Sequence, residues 1–519
     1  MSNNDGDMEE AIQQSLQQLK EDLERQEREK EEMRQAIALS LGKPIENLTP
    51  RETLSLTLNS GVKRSNDGQS NSSEQTKRQK QADMLTYPNG TVKLTHVKGF
   101  SGLDYLTIDQ VIEAKYLKKA LMTAFVVDMN FVEEKFPSDI NVCIVMHNRP
   151  AKSFQISPKR VVVNPPMKDE KFGVFHSKLM LLFHQSSMRV VISSANFVDY
   201  DWNDLENVVF LQDFPMLEGD PAADADALPK FGRDIYEQLY LMGVPISVRT
   251  ELLKYDFSKA TAHIVASVSG SHEGQSNYAR FGHTRLSSVI RQMGMQQKDM
   301  AAGPTIELQT SSLGSMNIPY LKELYLSFCG IDTFGSEGAI IQKEYKKTPG
   351  VPPATIVYPS NFTINNSRLG PGGASTICFN VASWKKPSFP REIMRDAVSN
   401  RYGTLMHSKV SHLRNIIVIS NIISLRSNST LLPHTIKPYK ASKDGSHNST
   451  MAAWGKASMS RDSKQPKMVI SNWELGVVLP ILNDGGDDKH ICQGIPVPFA
   501  RPAERYLSDQ EPWTQDLWP

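Results

Sequence analysis

The stretch Phe175-His176-Ser177-Lys178, followed downstream by Ser193-Ser194-Ala195-Asn196, returns later as Met406-His407-Ser408-Lys409 with Gly445-Ser446-His447-Asn448. Each copy offers an imidazole, an ammonium group and a side-chain amide, and two of each can surround one tetrahedral phosphate. One His can attack phosphorus while the other protonates the leaving oxygen. Lys and Asn then stabilise the oxygens on which charge accumulates. A single His-x-Lys says almost nothing; its duplication in matching context is informative.

That context is apolar. Lys178-Leu179-Met180-Leu181-Leu182-Phe183 reads as a strand buried on both faces, with Met188-Arg189-Val190-Val191-Ile192 and Val208-Val209-Phe210-Leu211 as the next two. A helix is expected from Gly232 to Met242, and comparable strands recur at Thr355-Ile356-Val357-Tyr358 and Leu475-Gly476-Val477-Val478-Leu479. The expected fold is α/β: two pseudo-symmetric lobes, each a mixed sheet flanked by helices, preceded by a helical and disordered tail. The boundaries read as a helical tail at 1–45, a linker at 46–86, a first lobe at 87–265 and a second at 266–519. The Ser/Gly-rich run from Ser267 to Gly282 is the expected crossing between lobes.

A chain of 519 residues exceeds one ordinary core, which agrees with two lobes. The net charge of +1 predicts neither nucleic acid nor membrane in bulk, so an anion site must come from local clustering. Cys143, Cys329, Cys378 and Cys492 share no CxxC spacing, which fits buried free thiols in a reducing compartment better than disulfides or zinc. The polar start MSNNDGDMEE gives no secretory signal, and no apolar run is long enough to span a bilayer. The expectation is an intracellular, monomeric protein without a membrane partner, metal or cofactor.

Two related patches occupy the tail: Met8 to Ser15, with Ala11, Ile12 and Ser15, and Met33 to Ser40, with Ala36, Ile37 and Ser40. Each follows apolar-x-x-Ala-Ile-x-x-Ser with acidic residues upstream. The pattern resembles the ubiquitin-interacting motif, a lone helix whose small Ala lets ubiquitin approach closely. Ala11 and Ala36 are 25 residues apart, close to seven turns, so a continuous helix would present both on one face roughly 37 Å apart. Such spacing suits bivalent capture of a ubiquitin chain. The Ser/Asn/Gln-rich linker carries Lys63-Arg64 and, twelve residues further, Lys77-Arg78-Gln79-Lys80. These look like a bipartite signal for a nuclear import receptor, and predict a nuclear location.

A nucleophilic imidazole needs a partner that fixes its tautomer. Trp473-Glu474-Leu475-Gly476 supplies a carboxylate just before an apolar strand, and Glu206 and Asn207 hold the corresponding place in the first lobe.

These residues identify the chain as a member of the phospholipase D superfamily, whose signature is HxK, a downstream Asp and a GSxN segment. The Asp position, five residues after Lys178, falls in the apolar run. Its absence is similar to the tyrosyl-DNA phosphodiesterase branch. Lys171-Phe172-Gly173, Trp202, Tyr255-Asp256, Ser311-Ser312-Leu313-Gly314-Ser315, Tyr358-Pro359-Ser360, Ala453-Trp454-Gly455 and Glu474-Leu475-Gly476 agree with that branch. The resemblance covers roughly residues 90 to 515. It implies cleavage of the bond between a DNA 3′ phosphate and the tyrosine of a stalled topoisomerase I, on single-stranded or nicked DNA. By position it makes His176 the nucleophile and His407 the general acid/base. Lys178, Lys409, Asn196 and Asn448 form the phosphate pocket, Glu474 orients His176 from the opposite lobe, and Asn207 or Glu206 serves His407. Phe172 matches an aromatic that stacks on a base, and Ser312 a segment that holds the DNA backbone.

One departure stands out. The family places a strand directly after the second HxK and another leading to the second Asn. Here Val410-Ser411-His412-Leu413-Arg414 and a Ser/Asn/Ile-rich run follow, so residues from about 410 to 440 read as an intrusion, such as a retained intron, and His447 replaces a small apolar residue. The competing expectations are a ubiquitin-binding scaffold with decayed lobes, or a phospholipase or general nuclease. The missing Asp and the import signal oppose a lipid substrate.

Overall fold

The computed structural model describes residues 85–148, 152–168, 173–301, 303–413, 416–420, 449–480 and 496–515. The two patches that resemble ubiquitin-interacting motifs, the basic clusters, Phe172, Asn448 and Cys492 lie outside the described residues.

The first sheet is built from β1 (Thr91–Thr95), β2 (Tyr105–Leu106), β3 (Leu117–Thr123), β4 (Asn141–Val145), β5 (Phe154–Ser157), β6 (Arg160–Val163), β7 (Leu179–His184), β8 (Ser187–Ser193) and β9 (Val208–Pro215). Their spatial order is β2-β1-β9-β8-β7-β3-β4-β6-β5. The strand after the first HxK, β7, sits at the centre of it. Leu179, Leu181 and Phe183 alternate into a core shared with Phe214, Phe231 and Phe257. Met180 and Leu182 point to the other face, against Phe131, Phe136 and Phe197. Period-two alternation with both faces covered is why this strand reads as unbroken hydrophobic sequence. The helix Lys230–Leu241 lays Phe231, Ile235 and Leu239 on the first of these cores.

The chain continues through β10 (His263–Ser267), β11 (Gly270–Glu273), β12 (Ile306–Gln309), β13 (Ser312–Leu313), β14 (Ala354–Val357), β15 (Cys378–Phe379) and β16 (Met394–Arg395). It ends with β17 (Val410–Leu413), β18 (Ile416–Ser420), β19 (Lys456–Met459), β20 (Pro466–Ile470) and β21 (Glu474–Pro480). The second large sheet has the order β10-β21-β18-β17-β12-β14-β16. It repeats the β1-β9-β8-β7-β3-β4-β6 part of the first sheet strand for strand. The sense of every neighbouring pair agrees as well. The pairings from the β1 or β10 end as far as β3 or β12 are antiparallel, and the last two of each series are parallel. The duplication expected from the two motifs is therefore a duplication of topology, with β7 and β17 as equivalent central strands.

Two expectations are corrected. The segment after Lys409 is not an intrusion from its first residue: Val410–Leu413 and Ile416–Ser420 form the two strands that the family pattern requires. They are paired with each other and, on their outer sides, with β12 and β21. Neighbours on both sides fix the register, which local sequence does not show. The rest of the segment read as an intrusion, from 421 on, lies outside the described residues. The crossing between lobes does not lie in the Ser267–Gly282 run either. Strand β10 already pairs with β21 in the second sheet, so the chain crosses before His263, and Val268-Ser269 is the turn into β11.

The lobes share one core. Val190, Ile192, Val208 and Phe210 of the first sheet cluster with Ile264, Ala266, Leu475 and Val477 of the second.

Candidate active site

Each HxK segment enters its central strand through a clasp from the other lobe. The His176 N–H donates to the Trp473 carbonyl at 2.9 Å, and Trp473 N–H donates back to Val174 O at 2.9 Å. In the same way His407 N–H donates to Glu206 O at 2.9 Å, and Glu206 N–H to Leu405 O at 2.9 Å. The Thr123 hydroxyl fixes the first turn, donating to Ser177 O at 2.7 Å and accepting from Leu179 N–H at 2.9 Å. Lys178 and Lys409 fold back alike, their Nζ donating to the carbonyl of His176 (3.1 Å) and of His407 (2.5 Å).

The imidazoles have carboxylate partners drawn from the opposite lobe. Glu474 Oε2 lies 3.1 Å from His176 Nδ1. Asn472 supports that carboxylate, its Nδ2 donating to Glu474 Oε1 at 3.2 Å. Lys178 Nζ also lies 3.2 Å from His176 Nδ1. The Nδ1 atom either donates to Glu474 or accepts from Lys178. The tautomer that donates to Glu474 is the one that leaves the Nε2 lone pair for phosphorus. The Phe125 ring packs on His176, 5.5 Å between centroids.

For His407 the partner is Asp201, whose Oδ2 lies 3.3 Å from Nδ1. This corrects the expectation of Asn207 or Glu206. Asn207 accepts from Ser194 Oγ at 2.8 Å and donates to Asp201 O at 2.8 Å, so it braces the loop instead of the ring. Glu206 pairs with Arg401 at 3.1 Å and accepts from Ser399 Oγ. Asn196 sits beside Asp201: its N–H donates to Asp201 Oδ2 at 2.6 Å, and its carbonyl accepts from Trp202 Nε1 at 3.0 Å. Asn196 Oδ1 accepts from Val126 N–H at 3.2 Å, so the amide presents its N–H hydrogens as donors toward a ligand. Ser312 is buried on β13, its Oγ unsatisfied within the protein. Asp201, Phe125 and Asn472 were not singled out from sequence; the Asp201-Trp202 pair following Asn196 was the available sign of the first.

Burial dominates the electrostatics. Desolvation brings Lys178 down to about 7, with Glu474 and Asp201 opposing. It drives Lys409 well below the ordinary lysine value, and the Lys178 charge lowers it further. His407 is lowered to about 4 by burial and by Lys409, although Asp201 pulls the other way. Burial pushes Glu474 well above the carboxylate range, against the pull of Lys178. Burial alone would raise Asp201 too. The His407 ring, the Asn196 N–H and Lys409 more than offset it and hold that carboxyl low. Groups from both motifs thus feel one another across one buried site. With two lysine amines packed in it, both lowered, the site favours an anion that would restore their protons.

The comparisons agree with this geometry. The chain is 24% identical over 457 residues to tyrosyl-DNA phosphodiesterase 1 of Arabidopsis thaliana, covering 79% of this chain and 71% of that protein. It is 25% identical over 381 residues to tyrosyl-DNA phosphodiesterase 1 of Drosophila melanogaster, covering 70% of this chain and 60% of the fly protein. In fold it is similar to the crystal structure of yeast tyrosyl-DNA phosphodiesterase, with a TM-score of 0.55 and 16% identity, over 82% of this chain and 100% of that one. The family model for tyrosyl-DNA phosphodiesterase matches residues 91–507, and the chain belongs to that family.

Proposed function

We propose that this protein is a DNA-repair hydrolase that cleaves 3′-phosphotyrosyl bonds left by topoisomerase I, and other 3′ adducts, through a phosphohistidine. The observation that carries the reading is the cross-lobe pairing of both imidazoles, His176 with Glu474 and His407 with Asp201, around buried Lys178 and Lys409. In the first step the His176 Nε2–P bond forms, the P–O bond to tyrosine breaks, and the His407 proton goes to the tyrosyl oxygen. In the second, water forms the new O–P bond, the N–P bond breaks, and the water proton returns to His407. Lys178, Lys409, Asn196 and Asn448 hold the phosphate oxygens. Phe172 stacks on a base and Ser312 holds the DNA backbone, contacts that position without specifying sequence. Two retained histidine–carboxylate pairs do not favour a decayed scaffold.

The test is turnover of a single-stranded oligonucleotide ending in 3′-phosphotyrosine. The expected product is a 3′-phosphate, absent with His176→Ala; a folded wild-type protein that leaves the substrate intact overturns the reading.

The tail extends the proposal to recruitment. Ala11, Ile12, Ser15, Ala36, Ile37 and Ser40 would engage ubiquitin or ubiquitinated proteins, and the basic clusters an import receptor that delivers the protein to the nucleus. Full-length protein carrying Ala11→Arg and Ala36→Arg should lose retention on ubiquitin chains while keeping full turnover. Equal retention would remove ubiquitin from the proposal. Nuclear fluorescence of a tagged chain, lost when Lys77 and Arg78 are changed to Ala, checks import.

A further inference from the structure

Glu206 sits completely buried between the lobes, four residues beyond the Trp202 that closes the first Asn motif. Its peptide group clasps both sides of Met406: Glu206 N–H donates to Leu405 O at 2.9 Å, and Glu206 O accepts from His407 N–H at 2.9 Å and Ser408 N–H at 3.0 Å. Its carboxylate reaches the beginning of the same loop. It accepts from Ser399 Oγ and pairs with Arg401 Nη2 at 3.1 Å. Arg401, also buried, donates through Nη1 to Thr95 O at 2.8 Å, and its guanidinium lies 4.3 Å from the Tyr105 ring centroid. Ser399 Oγ in turn accepts the Arg401 N–H at 2.9 Å. One first-lobe residue therefore ties down the 399–408 loop of the second lobe at both ends. The equivalent clasp on His176 is made by Trp473, which has no charge and whose Nε1 donates to Pro166 O at 2.8 Å. Among the described residues the charged latch belongs to the His407 side alone.

We propose that Glu206 and Arg401 are positioning residues that set His407 as the acid and base of the reaction. This rests on the proposed acid/base role of His407. An imidazole displaced by about 1 Å loses roughly 10²-fold in rate. The loss should fall only on steps in which His407 moves a proton. Expulsion of tyrosine needs that proton, whereas expulsion of a weakly basic 4-nitrophenolate does not. Hydrolysis of the phosphohistidine needs His407 as base whichever group has left.

The experiment compares wild type, Arg401→Met, Arg401→Lys, Ser399→Ala and His407→Ala in pre-steady-state time courses, with substrate in excess, on oligonucleotides ending in 3′-phosphotyrosine or 3′-(4-nitrophenyl) phosphate. With Arg401→Met the tyrosine release is expected to fall about 10²-fold. The 4-nitrophenolate should still leave as a burst of one per protein, and a covalent protein–DNA adduct should accumulate on a denaturing gel. Ser399→Ala should show the same pattern in weaker form, and Arg401→Lys should partly restore tyrosine release. Equal losses on both substrates without adduct, or no loss in either latch variant, overturn the latch. If Arg401→Met does not fold, Ser399→Ala decides by the same criteria, since it removes one hydroxyl. His407→Ala separates the two layers: without burst and adduct there, the acid/base assignment fails, whatever the latch variants do.

Discussion

Asp201 Oδ2 stands 3.3 Å from Nδ1 of His407, on the short helix Asp199–Asn203 of the lobe that does not carry that histidine. The same carboxylate accepts the Asn196 backbone N–H at 2.6 Å, so one side chain couples the His407 imidazole to the Asn196 main chain. Asp201→Asn keeps the shape but loses the charge that supports an imidazolium and turns an N–H donor toward other donors. Tyrosine release is expected to fall by about 10²-fold or more, within the 10²–10⁴ that a general acid contributes. Asn207→Ala should cost less than Asp201→Asn, because Asn207 braces the Asp201 backbone without meeting the ring. Single-turnover rates on the 3′-phosphotyrosine substrate check both; the reverse ranking would restore Asn207 as the partner of His407.

His407 is lowered to about 4 and Lys178 to about 7, both chiefly by burial. A phosphate between them replaces the missing negative charge and raises both values. Sulfate, a tetrahedral dianion like phosphate that does not itself titrate in this range, is therefore expected to bind with net proton uptake between pH 6 and 8. Titration calorimetry in buffers of different ionisation enthalpy measures the number directly, and zero uptake or proton release contradicts the electrostatics described.

Lys178 also leaves a signature in stability. Its pKa is about 7 folded and 10.5 in the unfolded reference, so between these values the unfolded chain binds more protons. Stability from this group therefore rises with pH across that window. Lys178→Met removes the term. The thermal midpoint of wild type, compared with Lys178→Met without phosphate, should shift in favour of wild type from pH 7 to pH 10. A pH-independent difference would show that Lys178 keeps an ordinary pKa in the fold.

Gly282 has φ +63°, and a Cβ built there would lie 2.3 Å from the Trp454 carbonyl oxygen. That carbonyl belongs to the Ala453-Trp454-Gly455 segment behind the second Asn motif. Gly282→Ala combines overpacking with an unfavourable backbone conformation, and should destabilise by about 2 kcal/mol or more. Equilibrium unfolding in urea, analysed for the midpoint at constant slope, gives the value.

The contrast between β7 and β17 shows what was readable in the sequence. Leu179 to Phe183 is apolar at every position because both faces are covered, and its strand was evident from residues alone. Val410-Ser411-His412-Leu413 carries no such pattern, yet pairs in the same place because β12 and β18 flank it. The two histidines and lysines were legible as a repeated motif, whereas Asp201 was not. Its role depends on the short helix Asp199–Asn203 packing across the lobe boundary, while Asn207 matches the family position by count. Ser267 to Gly282 looked like a linker by composition, but its first turn joins two strands.

The reciprocal anchoring of His176 on Trp473 and of His407 on Glu206 has a consequence for assembly. Neither repeat is self-sufficient, because each hands its imidazole to the other for support. A single repeat would need a second copy beside it to supply the anchor of its imidazole. Arg401 and Glu206 mark where the two anchors differ: a charged grip on one side, an uncharged indole on the other. Halves produced as separate polypeptides should stay silent alone and recover turnover only on reassociation.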